Sequence, residues 1–413
     1  MFRKTIVEDD SHDTEVLEEN SRNIIVGIIS QLRKDMDLSR VALPTFILEP
    51  RSMLEKITDF MAHPDILLEA SKTIDPVDRF VEIVRYFMSG WHVKPKGVKK
   101  PYNPVLGEFF RCQWQFRDQT KAYYVAEQIS HHPPISAYYF GSPDNGIHIE
   151  GEIHPKARFL GNSAASIMQG YSRIHFTRFS EEYHITSPNV YARGILCKYH
   201  VLMFGKMTME LGDRAIIRCE ANDLVCEIDF KAKGVFSGQA NLISGKIKRE
   251  STSQVLYELS GAWNSHIFIH KAKKPSSPIS FFHVQTASKP VPKRVDPEEQ
   301  QDLNESRRLW AKVTAAIKAN DMDLARDEKQ WIEDSQRVET TKRQKQSLVW
   351  QPRFFVATGT DYRFKGSMAI QPRQTQQDLE SWIFGPLSST SRSTQEILQE
   401  RRPVQAELTV VAV

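Results

Sequence analysis

Apolar side chains recur at helical spacing through the first ninety residues. Between Ser21 and Leu38 they return every three or four positions, which predicts an amphipathic helix. The apolar segment Leu43–Glu49 follows and is expected to be extended. Ser52 with a glutamate three positions later is typical of a capping box, so we expect a helix to begin there. Pro76–Trp91 has its bulky apolar residues on one stripe and predicts another helix.

After Trp91 the apolar and polar residues alternate with a period of two, which is the pattern of half-buried strands. A turn is predicted at Pro143–Gly146. So many strands over about 170 residues indicate a large antiparallel sheet that closes, or nearly closes, into a barrel. A barrel of many strands needs a ligand, a plug or water inside it. The clearest strand-like runs are Phe110–Phe116, Gly146–Ile153, Arg173–Phe179 and Leu224–Phe230.

The pattern divides the chain into three parts. Residues 1–20 form an acidic tail that is expected to be mobile. Residues 21–355 form one α+β domain, with the sheet at about 100–270, a loop at Lys271–Pro297 and charged helices at about 298–345. Residues 356–413 have weak periodicity and form a divergent tail.

Composition narrows the class of protein. Of 413 residues, 40% are hydrophobic and 10% aromatic, which is enough for a real core. The net charge is +4, from 55 basic and 51 acidic residues, and this balance argues against a general nucleic-acid binder. The four cysteines show no framework spacing, which suits reduced thiols in the cytosol. Neither a secretory signal nor an apolar run long enough to span a bilayer is visible, so membrane contact is expected to be peripheral.

The segment Ala126–Pro134 contains the candidate chemistry: Glu127, Gln128, Ser130 and the pair His131 and His132 precede two prolines. The strand-like runs on either side place the histidines at the rim of a sheet. Zinc is disfavoured because neighbouring histidines in a strand point to opposite faces and no second ligand motif accompanies them, so no metal is expected. A hydrolase that uses Ser130 would lack a nucleophile elbow. Anion recognition and a purely structural role both remain open.

Two further elements carry charge. Lys329, Glu333 and Arg337 are spaced four residues apart, so a helix stacks them on one face; they form either two ordinary ion pairs or part of an anion site. The segment Lys99–Glu108 contains two prolines and a glycine. Its side chains, Lys100 and Asn103 among them, are therefore held by a stiff loop.

The nonapeptide and these elements together resemble the oxysterol-binding-protein-related lipid-transfer family. The nonapeptide matches that family's E-Q-x-S-H-H-P-P signature, and the similarity runs from about Asn23 to Phe355. It is greatest to the short fungal members that carry phosphatidylserine. The segments that carry this similarity are Leu43–Glu55, Lys99–Glu108, Arg158–Ser163 and Glu305–Trp310.

The resemblance implies a near-complete β-barrel around a lipid tunnel, closed by an N-terminal lid at about 40–62. It implies a protein that is not an enzyme and needs no cofactor, and that exchanges phosphatidylserine for phosphatidylinositol 4-phosphate between membranes. The alternatives are exchange of a sterol for the same phosphoinositide, or a phosphoinositide sensor of the same fold. Leu48 in the lid would touch the acyl chains. The headgroup would be bound by Lys100, Asn103, His131, His132, Lys329, Glu333 and Arg337.

The family also implies a cytoplasmic, peripheral location at contacts between endoplasmic reticulum and plasma membrane. Targeting to them would come from the lid, from basic surface patches or from a protein partner such as an anchoring protein of the reticulum. The chain departs from the family pattern in three places. Cys197–Met203 are extra residues, and Ala157 stands where the phosphatidylserine carriers have a small hydroxyl residue. After Phe355 the resemblance is lost, which puts packing by the usual C-terminal segment in doubt.

Overall fold

The fold is described from a computed structural model. The described residues are 15–16, 28, 32–38, 41, 44–95, 97–161, 163–194, 206–232, 240–272, 277–369 and 375–385. The extra residues Cys197–Met203 lie outside them, as do most of the acidic tail and most of the helix expected before Leu38. Of the tail, Glu15–Val16 (β1) pair with Lys206 and Met207.

The N-terminal segment differs from the helix predicted over Ser21–Leu38. Ile28 is α-helical, but residues 32–37 are not helical and Leu38 is in a 3-10 conformation. The amide of Asp35 donates to the carbonyl of Phe159 at 2.7 Å, and the amide of Phe159 donates to the carbonyl of Met36 at 3.0 Å. This part of the segment is bonded to a strand, and that tertiary pairing overrides the local helical spacing.

Short helices precede the sheet. Thr45–Ile47 form a 3-10 turn where an extended segment was expected, and Leu48–Ser52 (β2) follow. Met53–Lys56 (α1) begin at Ser52, whose Oγ accepts from the amide of Leu54; Glu55 instead binds Arg307. Ile57–Met61 are 3-10, and Pro64–Lys72 (α2) and Pro76–Ser89 (α3) complete the group. The predicted helix from Pro76 is confirmed; Asp75 caps it, with proline at its first position.

Most strands belong to one fourteen-stranded antiparallel sheet. Its main path is a meander from β4 to β16 in which β10 follows β8 directly, while β9 pairs with both β8 and β11. The strands are β4 (Phe109–Gln115), β5 (Lys121–His131), β6 (Pro134–Ser142), β7 (Ile147–Phe159), β8 (Ala164–Phe176), β9 (Glu181–Ile185), β10 (Asn189–Arg193), β11 (Lys206–Cys219), β12 (Leu224–Lys231), β13 (Leu242–Arg249), β14 (Val255–Ala262), β15 (His266–Lys271) and β16 (Ile279–His283). Strand β16 lies inside the segment expected to be a loop, because the buried Phe281 and Phe282 outweigh its Pro- and Lys-rich surroundings.

The early helices fill the concave side of this sheet. Leu54, Phe80 and Phe87 belong to the same buried cluster as the inward side chains of strands β4 to β16. A cavity of about 50 Å³ remains between these helices and the sheet, far smaller than the acyl chains of a phospholipid. Its lining includes Phe60, Met61, Tyr86, Tyr138, Met168 and Ser172.

The described part of the chain from residue 306 onward packs on the outside of the sheet. Ser306–Leu309 (α4), Ala311–Lys318 (α5) and Met322–Lys345 (α6) come first. The hairpin Phe355–Thr358 (β17) and Asp361–Phe364 (β18) follows, with Lys365–Ala369 (α7) and Gln376–Phe384 (α8). Side chains from this segment form a second buried cluster on β4 to β6. Its members include Phe354, Phe355, Phe364, Leu379 and Ile383 against Phe109, Tyr123, Val125 and Tyr139.

The boundary expected at residue 355 therefore falls inside a packed unit. Glu150 and Glu152 on β7 accept hydrogen bonds from the amides of Phe364 and Tyr362, at 3.2 and 2.5 Å. The doubt about C-terminal packing does not hold for residues 356–369 and 375–385. The apolar residues of this segment have no regular period, but they cover the outward-facing aromatics of β5 and β6.

Candidate functional site

The nonapeptide forms the turn of the hairpin between β5 and β6. His131 pairs with Pro134, and His132 and Pro133 make the two-residue turn, with a cis peptide between them. The register shifts between Gln128 and Ser130, which marks a bulge that re-aims the side chains next to the turn. The histidines therefore lie at the rim of the sheet, as the flanking strands predicted.

Most polar side chains of the nonapeptide brace this hairpin. Gln128 Oε1 accepts from Ser136 at 2.6 Å, and Gln128 Nε2 donates to the carbonyl of Ser130 at 2.7 Å. Ser130 Oγ donates to the carbonyl of Pro133 at 2.6 Å. That bond occupies the hydroxyl proton that a nucleophilic serine would give to a base, which argues against the hydrolase interpretation.

Glu127 turns to the other face of the sheet and is fully buried. Its carboxylate accepts from the amides of Arg353 and Phe354, at 2.7 and 2.8 Å. Burial raises the pKa of Glu127 to about 7. The residue thus joins the hairpin to the C-terminal segment.

The two histidines are the part of the nonapeptide that faces outward. Their ring centroids are 4.6 Å apart, and His132 is exposed while His131 is half-buried. His131 Nδ1 lies 3.2 Å from the carbonyl oxygen of Pro104, so Nδ1 carries the proton and Nε2 points elsewhere. Burial and the neighbouring imidazole lower the pKa of His131, while Pro104 and Glu333 oppose that shift. His131 is therefore neutral near pH 7. On binding an anion it would take up a proton at Nε2 and so gain a second N–H donor.

The loop that supplies Pro104 is built around Glu108, which is fully buried. Its Oε1 accepts from Ser52 Oγ at 2.5 Å and from Ser306 Oγ at 2.7 Å. Its Oε2 accepts from Trp310 Nε1 at 2.9 Å and from the amide of Val105 at 3.0 Å. Burial raises the pKa of this carboxyl, and the four donors offset part of that shift. One side chain thus ties the loop to β2 and to the late helices.

Lys100 and Asn103 lie at the start of this loop, and both are exposed. Lys100 pairs with Leu48 between the parallel strands β3 (Lys100–Tyr102) and β2. The crowding of protein atoms and the ammonium of Lys329 lower the pKa of Lys100, while Glu333 opposes the shift. Lys100 and His131 therefore both lie near Glu333 of α6.

Helix α6 brings the last charged groups. Lys329 Nζ is 2.6 Å from Glu333 Oε1, which is one of the two ion pairs expected from the spacing. Arg337 is exposed and pairs with Asp334 one turn back, so the second expected pair is absent. The amide of Leu106 donates to Gln336 Oε1 at 2.8 Å and fixes this helix against the loop.

Leu48 pairs with Lys100 across β2 and β3 and is 6% exposed. It belongs to a small apolar cluster with Tyr102, Trp310, Val313 and Ile332, and the rings of Tyr102 and Trp310 are stacked with centroids 4.6 Å apart. The described part of the segment expected as a lid, residues 44–62, is packed into the protein.

The arrangement favours an anion. His131 and His132 are adjacent, Lys329 is paired with Glu333, and both Lys100 and His131 lie within electrostatic range of that carboxylate. Among the residues that the structure describes, no three His, Cys, Asp or Glu side chains are grouped as a metal site would require. Gln336, Glu108 and Trp310 were missed by the sequence analysis. The sequence signal for them was the glutamate at the end of the proline-containing segment Lys99–Glu108, and it does not show which residues bind that glutamate.

Comparison with known proteins identifies the family of the chain. Residues 27–316 match the family model for oxysterol-binding protein. An oxysterol-binding protein homolog of Schizosaccharomyces pombe is 47% identical over 363 residues, which cover 84% of this chain and 73% of the relative.

Solved structures share the fold. The Osh1 ORD domain in complex with ergosterol matches with a TM-score of 0.69 at 22% identity, over 86% of this chain and 88% of that one. The Osh3 ORD of Saccharomyces cerevisiae in complex with PI(4)P matches with a TM-score of 0.62 at 17% identity, over 89% and 93%. Within the described ranges, no helix has the length and apolar character needed to cross a membrane.

Proposed function

The chain belongs to the oxysterol-binding protein family, and from this premise we propose that it exchanges phosphatidylserine for phosphatidylinositol 4-phosphate between two membranes without catalysing a reaction. The observation that carries the proposal is the grouping of His131, Lys100 and Lys329 around Glu333 at the rim of a sheet with an apolar interior.

The charges suit a phosphate monoester. In the protein alone, the pKa values of Lys100 and His131 are both lowered, because surrounding protein atoms partly exclude water and because Lys329 lies near Lys100 and the second imidazole near His131. A phosphate group with close to two negative charges would reverse both effects and accept charge-assisted hydrogen bonds from each. Glu333 and Asn103 would then serve the hydroxyl groups of an inositol ring, since a carboxylate accepts and an amide both accepts and donates. Arg337 would add long-range attraction from the next turn of α6.

The acyl chains need an apolar space. Each buried methylene contributes about 0.8 kcal/mol, so two chains are held strongly only where water is excluded. The cavity of about 50 Å³ beneath the early helices is too small for them, so uptake of a lipid requires these helices or their side chains to move. Leu48 pairs with Lys100 between strands β2 and β3, and we assign it to contact with the glycerol part or the acyl chains of a lipid.

The counter-lipid is the second question. Sterol is the alternative candidate, favoured by the hydroxyl groups of Tyr86, Tyr138 and Ser172 in the cavity wall and by the alanine at position 157. The Osh1 ORD domain was solved with ergosterol, and the Osh3 ORD with PI(4)P. Contacts between endoplasmic reticulum and plasma membrane, with an anchoring protein, are the proposed setting.

The test is transfer between two vesicle populations, with labelled phosphatidylserine, sterol or phosphatidylinositol 4-phosphate in one of them. The double variant His131→Ala/His132→Ala should lose extraction of the phosphoinositide and remain folded. The matched control is His266→Ala/His283→Ala, a second pair of histidines with centroids 4.2 Å apart at the other end of the sheet. Equal extraction by the two double variants would overturn the assignment. Binding of the phosphoinositide without movement of any lipid would make the protein a sensor.

A further inference from the structure

Helix α6 ends in an exposed apolar pair. Ser347 has a positive φ of 54°, and the amide of Leu348 donates back to the carbonyl of Arg343 at 3.0 Å, so the chain reverses sharply at the helix end. Leu348 is 59% exposed and Val349 is 80% exposed. With so much of their surface exposed, these two apolar residues contribute little to the core.

Basic side chains surround this pair. Lys342, Arg343 and Lys345 lie in the last turn of the helix. Lys342 and Lys345 are exposed and make no ion pair with any residue for which coordinates are described. Val338, which is 61% exposed, shares their face at four and seven positions before them. Basic residues at a helix C-terminus also complement the helix dipole, but that role does not account for the apolar residues beside them.

The tip, defined as residues 342–350, is fixed next to the headgroup loop. The guanidinium of Arg343 lies 5.5 Å from the ring centroid of Trp350. The Trp350 ring occupies the place of a side chain on Gly107: its Cη2 is 2.5 Å from where a Cβ would be, and Gly107 has a φ of +78°. Because Gly107 is in the loop that carries Lys100 and Asn103, the tip and the candidate site sit on one rigid support.

We propose that the tip inserts Leu348 and Val349 into the interface of an anionic bilayer, with Lys342 and Lys345 against the lipid headgroups. The combination fits such a surface because apolar side chains partition into the acyl boundary while lysines are attracted to anionic lipids. Because Trp350 of the tip packs on Gly107, docking by the tip would hold the loop that carries Lys100 and Asn103 close to the membrane. The inference rests on the proposed lipid exchange, to which it adds the contact that positions the site.

The experiment measures co-sedimentation of the full chain with phosphatidylcholine vesicles that contain or lack phosphatidylserine. Leu348→Ser/Val349→Ser should weaken binding to the anionic vesicles by at least about tenfold. Lys342→Glu/Lys345→Glu should weaken it similarly, and more at low salt than at high salt. Ile74→Ser is the matched control, because Ile74 is 65% exposed on another surface.

A second measurement separates this inference from the proposed function. Binding of water-soluble, short-chain phosphatidylinositol 4-phosphate should be unchanged in both tip variants and lost in His131→Ala/His132→Ala. Loss of soluble-lipid binding in the tip variants would overturn the inference. So would vesicle binding equal to that of the Ile74 control, which would leave the tip as a surface for a protein partner. Wild-type protein that binds vesicles through the tip but not the soluble lipid would refute the proposed function alone.

Discussion

Glu108 offers a sharp test of how the candidate site is held in place. Its carboxylate receives two kinds of donor. The amide of Val105 and Trp310 Nε1 can only donate, whereas the hydroxyls of Ser52 and Ser306 can rotate and accept instead. The two oxygens separate these kinds: Oε2 faces the fixed donors and Oε1 faces the hydroxyls.

A glutamine at position 108 can match this arrangement. Its carbonyl oxygen would take the place of Oε2, and its NH2 group would donate to the two serines, while Ser306 Oγ keeps its 3.2 Å bond to the carbonyl of Phe109. We therefore expect Glu108→Gln to stay within about 1 kcal/mol of the wild-type free energy of unfolding, because weaker neutral bonds are offset by removal of a buried charge. Glu108→Ala leaves both fixed donors buried without an acceptor, at about 1–3 kcal/mol each, so we expect a loss of about 2–6 kcal/mol.

Urea denaturation followed by tryptophan fluorescence measures both values. Trp310 stacks on Tyr102 in the same network, so its emission reports on the region concerned. Soluble phosphatidylinositol 4-phosphate should bind to the glutamine variant nearly as well as to wild type, since the loop keeps its place. Equal destabilisation by alanine and glutamine would refute the reasoning, because it would show that the negative charge rather than the set of acceptors holds the loop.

Four other outcomes follow from the structure. A bound phosphate raises the pKa of an imidazole, so affinity for the soluble phosphoinositide should increase as pH falls through the pKa of His131 in the complex. The increase should level off below the lowered pKa of His131 in the free protein. Calorimetry from pH 8 to pH 5 should show a flatter profile for His131→Gln, whose side chain still donates a hydrogen bond but does not titrate. Because the pKa of Glu127 is raised to about 7, the folded state holds this proton more tightly than the unfolded state does. The free energy of unfolding should therefore fall by about 3 kcal/mol as pH rises from 4.5 to 7. Urea titrations of Glu127→Gln should lack that fall. Lys100→Met should lower affinity for the soluble phosphoinositide by at least about tenfold without lowering the thermal midpoint, because the ammonium is disfavoured where it lies. Leu48→Asp should abolish transfer and also cost about 3 kcal/mol in urea, whereas destabilisation without loss of transfer would exclude contact with the cargo.

The periodicity of the sequence predicted the sheet and the helix from Pro76 because both depend on local patterns. Alternation from Phe110 onward reflects one buried face per strand, and that face exists whatever the strand order. The match to solved family structures confirms the large antiparallel sheet with helices at both ends. The pattern could not show that β10 follows β8 directly, since this depends on contacts between distant residues.

Errors arose where a distant segment decided the local structure. Residues 32–38 have helical spacing but bond to Phe159, and β16 lies in a stretch whose prolines and lysines indicate a loop. The segment after residue 355 has no regular period. Its aromatic residues gain their place only from the outer face of β5 and β6, which a local pattern does not reveal.

The candidate site was predictable in its residue types and only partly in its roles. The sequence marked the histidine pair, and the family resemblance that followed from it is confirmed by the match of residues 27–316. Which residues of the nonapeptide bind and which only support could not be read from the motif. Spacing alone also favoured Glu333 as the partner of Arg337, yet Asp334 takes that place.

The hydrogen bonds of the nonapeptide lead to one further step. Gln128 and Ser130 are bonded within the hairpin, and Glu127 is bonded to the backbone of residues 353 and 354, so only the histidines remain to face a ligand. The same nine residues therefore connect the candidate headgroup site at the rim of the sheet to the C-terminal segment on its outer face. Ionisation of Glu127 places a charge in a buried position and so destabilises the strand that carries His131. Stability and phosphoinositide affinity should accordingly change together with pH in the wild type. In Glu127→Gln only the affinity should still depend on pH in this way, because His131 still titrates and residue 127 no longer does.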